Sequence, residues 1–599
     1  METKQNIFDY VVQEQTAYML PVTILDDLDF NMRDHIKKTI FYKNSRFFKK
    51  HSDEKPFKNI IRPILNLQYR AEDIDVKDIV LYIDDKDKYY LSFLVKKYHD
   101  EVFTKENDLD TFFDELKEEK IDFGGALAKN VNGKLEVIPL QSLAFCDQMD
   151  ILSAPLGIKL FYNPSELLEM DDKGWGEPAN GATHTLEEAV TLANAWKKDA
   201  QGTQSRTTGN YIEVFEIHGV LPNRYLGEDN DKFSLQMQII ILDNTKRTKN
   251  GNKGVILYAK REKELPIKFV KRDRFYNRAL GMGGAEELFG PQVWVNYGEI
   301  RMKEMLDAAS KIILKTTDKG IVARHPTGVK DMDNLEFLVV DERKDVEQLD
   351  TYPRNLVPFV QWEQAMEEHA KSTGSAYDPT MGKEPVSGTP FASLQLQVQQ
   401  GLSLHEYRKG KYAKSVEEIY RDWIIPYIVK EIVKGQEFLA SLDLEELQKI
   451  GDNLAIIETN NFKINYILDN DGLAPTPEMV QVFEQQSRDN FKKKGNKHFI
   501  KILKDEMKGL PVRISINIVG KQKNLGAMTE KIVNIFRFVF SNPQGFMQIM
   551  QMPGMAKAWN EIIEYSGLSP MDFSGIEKFQ FAPPPQPVGQ ELLPAGAMA

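Results

Sequence analysis

Cationic excess is the first thing this sequence lacks. Its 77 Lys and Arg face 89 Asp and Glu, a formal net charge of −12 at pH 7. Proteins that grip nucleic acid by neutralising phosphates need the opposite balance, so the chain as a whole is not a tight binder of DNA or RNA, although local basic patches stay open. Cysteine is nearly absent: Cys146 is alone among 599 residues. A single thiol excludes a disulfide scaffold and zinc ribbons built from CxxC pairs, and points to a reducing compartment. Long apolar runs are missing too. The longest, at 236–242 and 532–540, are short, and the second contains Arg537. Neither approaches the ~20 residues that cross a bilayer. The first residues, Met-Glu-Thr-Lys-Gln-Asn-Ile-Phe, show no basic stretch followed by an apolar one, so the expectation is a soluble chain with no signal peptide and no membrane partner.

Short catalytic motifs are absent as well. A Walker A loop needs GxxxxGK[ST] so that backbone amides and the Lys cradle phosphate. The Gly-Lys pairs at 133–134, 382–383, 410–411 and 520–521 are followed by Leu, Glu, Tyr and Gln, and none qualifies. Gly281, Gly283 and Gly284 do not make GxGxxG, and Gly401-Leu-Ser403-Leu runs into His405 rather than closing a GxSxG elbow. The nine histidines, His35, His51, His99, His184, His218, His325, His369, His405 and His498, stand singly with no HExxH among them, and read as surface or satisfied core. Cys146 paired with a distant His is a poor nucleophile candidate. The aspartates at 26, 27 and 29 and at 84, 85 and 87 lack the Gly and closing Glu of a calcium loop, and read as solvated turns. The expectation is a protein that is not an enzyme, with no catalytic residue, metal or cofactor.

What is present is a 42% hydrophobic, 28% charged composition, enough for several cores and about three to five domains. Residues 36–50 set six Lys and Arg among Ile40, Phe41, Tyr42, Phe47 and Phe48. That mixture fits nucleic-acid contact or, as the favoured reading, a surface helix with an apolar stripe. Residues 121–280 read as mixed α/β: a strand at 135–140 after an Asn132-Gly133 hairpin turn, helices at 165–170 and 185–198 with Thr185 as cap, and strands at 211–218, 235–242 and 255–259. The glycines at 281–284 then open a helical pattern to about Lys315, a rod of ~45 Å, with Val293, Tyr297, Ile300, Met305, Ala309 and Ile313 on its stripe. Residues 316–357 form a small α/β insert with a strand at 335–340. A shorter helix starts at Pro358 with Trp362, Met366 and Ala370 on one face. A loop rich in Gly, Pro and Ser follows at 371–391, a length that is usually functional or disordered. A long helix at 392–434 presents Tyr412, Val416, Ile419, Trp423 and Tyr427, and Pro426 is expected to kink it. Strands at 462–468 and 512–519 enclose a basic helix with Arg488 and Lys492–Lys494. A helical segment begins at Leu525, and its methionines, Met547, Met550, Met552 and Met555, read as core filling rather than a binding surface. The chain closes on a Pro-rich tail.

The order of these parts resembles the portal protein of tailed bacteriophages. GMGGAEELFGPQVWVNYGEIRMKEMLDAASKIIL at 281–314 looks like the start of a portal stem. SGTPFASLQLQVQQ at 387–400 looks like a channel loop running into the long helix. FEIHGVLP at 215–222, FGGALAKN at 123–130 and VIPLQSLAFCDQ at 137–148 resemble portals of crAss-like gut phages. The resemblance implies an α+β multidomain, portal-type architecture: an α/β wing at 1–280, stem helix 1 at 281–315, a small α/β clip at 316–357, stem helix 2 at 358–371, a channel loop at 372–390, a long kinked wing helix at 391–454, an α/β wing return at 455–524, a helical crown at 525–575 and a disordered tail at 576–599. It implies a ring, generally of twelve copies, at one capsid vertex of the virion, assembled in the host bacterial cytoplasm. Double-stranded DNA would pass through it non-specifically, driven in by the large terminase subunit and later ejected. Head–tail adaptor or neck proteins and the major capsid protein would be partners. Tyr377, Lys383, Glu384 and Thr389 would face DNA, and Lys319, Arg324, Lys330 and Asp331 would lie on the clip surface for terminase or adaptor. Another homo-oligomeric virion protein, a head or adaptor component, is the alternative; a cytosolic enzyme without a short motif is a more distant one.

Overall fold

Residues 6–47, 55–83, 91–199, 211–228, 232–243, 252–310, 314–316, 346–348, 356–382, 391–434, 444–469, 473–494, 512–516 and 537 are described by the computed structural model. Helices α1 (Ile7–Tyr18) and α2 (Met32–Lys43) flank the hairpin of β1 (Val22–Leu25) and β2 (Leu28–Phe30). Asn6 and Asn31 cap these helices by accepting from the amides of Asp9 and Asp34, which satisfies donors that have no partner within the helix. Asp26 and Asp27 make the hairpin turn, and the residue 36–50 pattern becomes α2, whose inner face is Met32, His35, Ile36, Thr39 and Tyr42. Then come α3 (Ile61–Ala71), β3 (Ile79–Ile83), α4 (Ser92–Tyr98), a π-turn at His99–Phe103, α5 (Thr104–Asn107) and α6 (Leu109–Phe123).

The sheets follow from hairpins. Between β4 (Gly125–Val131) and β5 (Lys134–Ile138), Asn132 and Gly133 have φ of 53° and 90°, the two positive values that a tight hairpin turn requires. A side chain at Gly133 would also collide with the Tyr427 ring at 2.1 Å. Strands β6 (Leu143–Phe145), β7 (Leu156–Tyr162), β8 (Ile212–Pro222), β9 (Phe233–Leu242) and β10 (Gly254–Arg261) form one antiparallel sheet in the order β10-β9-β8-β7-β6. Side chains alternate across its faces. Val214, Ile239, Ile241 and Leu257 meet Leu167 of α7 (Pro164–Glu169) and Leu186 and Ala189 of α8 (Leu186–Asp199). Phe215, Ile217 and Ile240 meet α1 through Ile7 and Val11. Thr185 caps α8 as expected, exchanging hydrogen bonds with Glu188. Strand β11 (Ile267–Lys271) completes a second antiparallel sheet, β11-β4-β5.

After the glycine turn come α9 (Gly284–Glu287), α10 (Phe289–Ala309), the paired strands β12 (Leu314–Thr316) and β13 (Val346–Gln348), and α11 (Leu356–Thr373). The long helix follows as α12 (Phe391–Ile419), a π-turn at Tyr420–Ile424 and α13 (Ile425–Lys434). Last are α14 (Leu444–Asp469), α15 (Pro477–Lys494) and β14 (Val512–Ile516), which pairs antiparallel with β3. The architecture is mixed α/β, and the chain divides into units of residues 1–518 and 519–599; all the elements named here belong to the first. Tyr412, Val416, Ile419 and Tyr420 of the long helix, Phe103, Phe113 of α6 and Leu81 of β3 build its largest core.

Several elements differ from the sequence reading. The helix expected to run unbroken from Ala285 to Lys315 is interrupted at Leu288 and ends at Ala309, a rod of 21 residues and about 31 Å. Leu314–Thr316 is strand. Val293 and Tyr297, expected on its buried stripe, are exposed, and Gln292, Val295 and Asn296 face inward instead. A polar residue wins the inner face because Gln292 accepts from the Ile60 amide and donates to the Lys58 carbonyl, just ahead of α3, whose first amides Asn59 caps. Helix α11 begins at Leu356 rather than at the expected Pro358, which still lies in the first turn, where no amide is needed. It also reaches Thr373, taking in residues read as loop. The strand expected at 462–468 is helix. Its alternating apolar residues suggested period two, but Ala455, Thr459 and Phe462 form a helical stripe, and Phe462 stacks on Phe483 of α15 at 4.3 Å. The strand at 335–340, the helical segment from 525 and the tail lie outside the described residues.

Candidate functional site

The turn ahead of α9 lies at a crossing of backbones. A Cβ on Gly281 would stand 2.2 Å from the Asp273 carbonyl oxygen and 2.8 Å from that of Gly124, so the glycines mark close packing rather than a phosphate cradle. Arg278 locks this turn by donating to the carbonyls of Leu280 (3.0 Å) and Gly281 (2.8 Å) and to Glu286. Beside it lies a buried ionic frame. Lys120 of α6 donates to Glu72 at 2.8 Å, and Arg272 reaches Glu72 at 3.2 Å and Gln68 at 3.0 Å. Arg408 of α12 spans Asp273, at 2.8 Å from Nε, and Glu287 of α9, with Lys411 at 3.4 Å from Asp273. Burial alone would raise the Glu72 pKa, but Lys120 and Arg272 hold it below its ordinary value. Asp273 is likewise lowered against its burial by Arg408 and Arg272. For Glu287 burial wins and its pKa is raised. The frame ties α3 and α6, the chain after β11, α9 and the long helix into one charged knot, which is worth keeping only if complete.

The segment read as the channel loop starts from a fixed point. Ala376 is fully buried in the core shared by α3, α10 and α11, beside Ile64 and Ala370. Ser375 adopts positive φ, 50°, and its carbonyl accepts from His405 Nε2 at 3.3 Å. Burial lowers the His405 pKa, so the ring donates as neutral imidazole. Lys371 bonds Asp378 at 2.8 Å, and Thr380 closes a turn on the Tyr377 carbonyl at 2.6 Å. The expected free loop from Ser372 is therefore a folded turn as far as Gly382. Tyr377 stands half exposed on it, over Gly401 of α12.

Tyr377 is the one expected DNA-facing residue that can be located. Lys383, Glu384 and Thr389, and the clip residues Lys319, Arg324, Lys330 and Asp331, lie outside the described residues. Strands β12 and β13 pair Leu314 with Gln348 and Thr316 with Val346. Helices α10 and α11 present an aromatic face. Trp294, Tyr297 and Trp362 are each about half exposed and meet edge to face at 5.9 and 6.3 Å. Lys58, itself exposed, pairs with Glu363 and Glu367 of α11.

Two other polar groups were invisible as sites in the sequence. Lys129 of β4 donates to both Glu216 oxygens of β8 (2.6 and 2.7 Å), and His218 bridges Glu216 at 2.9 Å and Glu262 at 3.1 Å. This knot fastens the two sheets together. Against the cost of burial, the hydrogen bond from His218 and the charge of Lys129 pull Glu216 down to about 2. Burial opposes charge on His218, but its bonds to Glu216 and Glu262 raise its pKa. Separately, Asp100, His99 and Tyr420 form a chain at 2.7 and 2.9 Å that resembles a proton relay. It ends on a phenol with no exposure, where no substrate reaches it. Cys146 lies 3.8 Å from the Met32 sulfur with its thiol pKa raised by burial, an unreactive state. No group of three or more metal-ligating side chains exists among the described residues, and no described helix is long and apolar enough to cross a membrane.

Arg408 and His405 are the members that sequence reading missed, although a signal existed. They fall four and seven residues before Tyr412 on the same buried helical stripe, and a polar or cationic side chain on an apolar stripe marks a buried partner. No family model matches the sequence, and no curated protein matches it. Among solved structures, the chain is weakly similar to one from the virion of a native gene transfer agent particle, at 8% identity and a TM-score of 0.29, covering 79% of this chain and 98% of that one. It is also weakly similar to a chain from the neck of an empty gene transfer agent particle, at 7% identity and a TM-score of 0.33, covering 93% of this chain and 99% of that one.

Proposed function

We propose that this chain is the subunit of a portal-type ring, a conduit through which double-stranded DNA enters and leaves a capsid. The succession of parts carries the reading: a glycine-locked turn, an outgoing helix, a segment closed at its ends by β12 and β13, a returning helix, an anchored turn and a long helix. The half-exposed Trp294, Tyr297 and Trp362 support it, since contiguous aromatic surface on a lone chain marks a face meant for contact, and identical subunits packed head to tail close into a ring. The net charge of −12 supports it too, because a conduit that neutralised phosphates would trap the DNA it must pass. Residues 316–357 would meet the terminase and later the adaptor, and residues 383–390 would reach toward DNA from the anchored turn.

Light scattering and negative-stain imaging of the purified full chain test the ring. Closed particles of about twelve copies are expected, and a monomer or dimer under all assembly conditions refutes the proposal. Deleting residues 383–387 spares the Ala376 anchor, so rings should persist while DNA packaging or retention fails. Rings that fail to form would assign that segment to assembly instead.

A further inference from the structure

The long helix carries two apolar stripes where one suffices. Up to Ile419 the buried apolar positions include Tyr412, Ala413, Val416 and Ile419. Continued at α-helical spacing, the stripe would pass through Trp423 and Tyr427. Instead Tyr420, Ile424, Ile428 and Ile432 are buried, and Trp423 and Tyr427 are only partly so. The exchange happens at the π-turn Tyr420–Ile424, where the Ile425 amide reaches back five residues to the Tyr420 carbonyl. Such a turn holds one residue more than an α-turn. Each residue of an α-helix adds about 100° and 1.5 Å. Absorbing the extra residue would therefore turn α13 against α12 by about 100° and bring Trp423 and Tyr427 inward. For two turns the second register would bury aromatic side chains, Trp423 and Tyr427, and beyond them it would bring Glu431 to the place of Ile432. Pro426 has no amide to lose in either.

The observed register is held from two sides. Lys268 of β11 donates to the Glu418 carbonyl at 2.8 Å, pairs with the Asp422 carboxylate and lies 5.2 Å from the Trp423 ring centroid. On the inner side Tyr420 stacks on Phe113 at 6.0 Å and bonds His99, a residue of the other π-turn, at 2.9 Å. One lysine thus satisfies a helix carbonyl, a carboxylate and an indole at the bulge.

We propose that residues 420–424 form a two-position register switch in the long helix, with Lys268 as the clamp that holds the register seen here. The switch does not depend on the ring reading, and its test reads the helix alone. In full-length protein carrying Cys146→Ala, maleimide labelling is followed at Ile428→Cys or at Val416→Cys. Adding Lys268→Met should raise labelling at 428 at least tenfold and leave 416 protected. Deleting Arg421 removes the extra residue while keeping both flanking faces, so protection at 428 should persist in that chain with or without Lys268→Met. Unchanged labelling at 428 on Lys268→Met overturns the proposal. So does a rise at both 416 and 428, which would report general loosening, or a rise at 428 that the deletion does not prevent.

Discussion

Replacing Glu216 with Gln strips one charge from the knot that joins the two sheets and leaves its shape. Glu216 is 2% exposed, and its carboxylate accepts from both Lys129 and His218. Two independent routes give the cost. The drop from 4.5 to about 2 corresponds to about 3 kcal/mol of stability at neutral pH, at about 1.4 kcal/mol per pKa unit. Removing one partner of a buried pair costs about 3–5 kcal/mol because the other charge is stranded. The pH dependence separates this from ordinary damage. A carboxylate with a lowered pKa contributes fully above its ordinary 4.5 and loses that contribution as pH falls toward 2. The raised imidazolium of His218 contributes fully below 6.5 and loses that contribution as pH climbs through its folded value. The gap between wild type and Glu216→Gln should therefore be widest between pH 4.5 and 6.5 and close on acidification. Thermal unfolding followed by circular dichroism across about pH 3 to 9 measures it. Parallel profiles, with a gap that does not change with pH, would refute a charge-based knot.

Arg408→Met should cost about 3–5 kcal/mol in the same melts, since Asp273 and Glu287 lose their shared cation; Arg408→Lys should recover only part, because an ammonium is a compact point charge without the planar, pre-organised guanidinium fork. Gly281→Ala should abolish soluble expression, as its Cβ would meet the Asp273 carbonyl oxygen at 2.2 Å. Gly290→Ala, in α10 with nothing near its Cβ, should be neutral or stabilising by up to about 1 kcal/mol. Trp294→Lys should leave circular dichroism and melting unchanged and reduce assembled particles in light scattering, because its ring is half exposed.

Elements whose cause is local were legible in the sequence. The Asn132-Gly133 hairpin needs two positive φ values and has them; Thr185 sits where a cap must; the apolar runs near 212–222 and 233–242 became neighbouring strands. Elements whose cause is distant were not. Gln292 faces inward because Lys58 and Ile60, far away in sequence, need its amide, and no periodicity encodes that. The strand reading at 462–468 failed because its two-residue alternation is a sub-pattern of a helix that leaves Ile464 and Leu468 in the open. The glycines at 281–284 were noticed, but their reason is the backbone of Asp273 and Gly124, which only the fold brings near.

The long helix shows how a correct local reading can still name the wrong residues. Tyr412, Val416, Ile419, Trp423 and Tyr427 are a valid α-helical stripe, and its first three members are buried. A single extra residue in the turn at 420–424 moves every later position by one, so Ile424, Ile428 and Ile432 take the core. Proline at 426 was read as a kink, an effect of one missing hydrogen bond. Ahead of it the helix widens into the π-turn at 420–424, and Lys268 donates to the Glu418 carbonyl. A sequence that offers apolar side chains in two registers leaves the choice to whatever grips the turn from outside. Here that grip comes from a strand about 150 residues earlier in the chain, and the register therefore belongs to the tertiary structure and not to the helix.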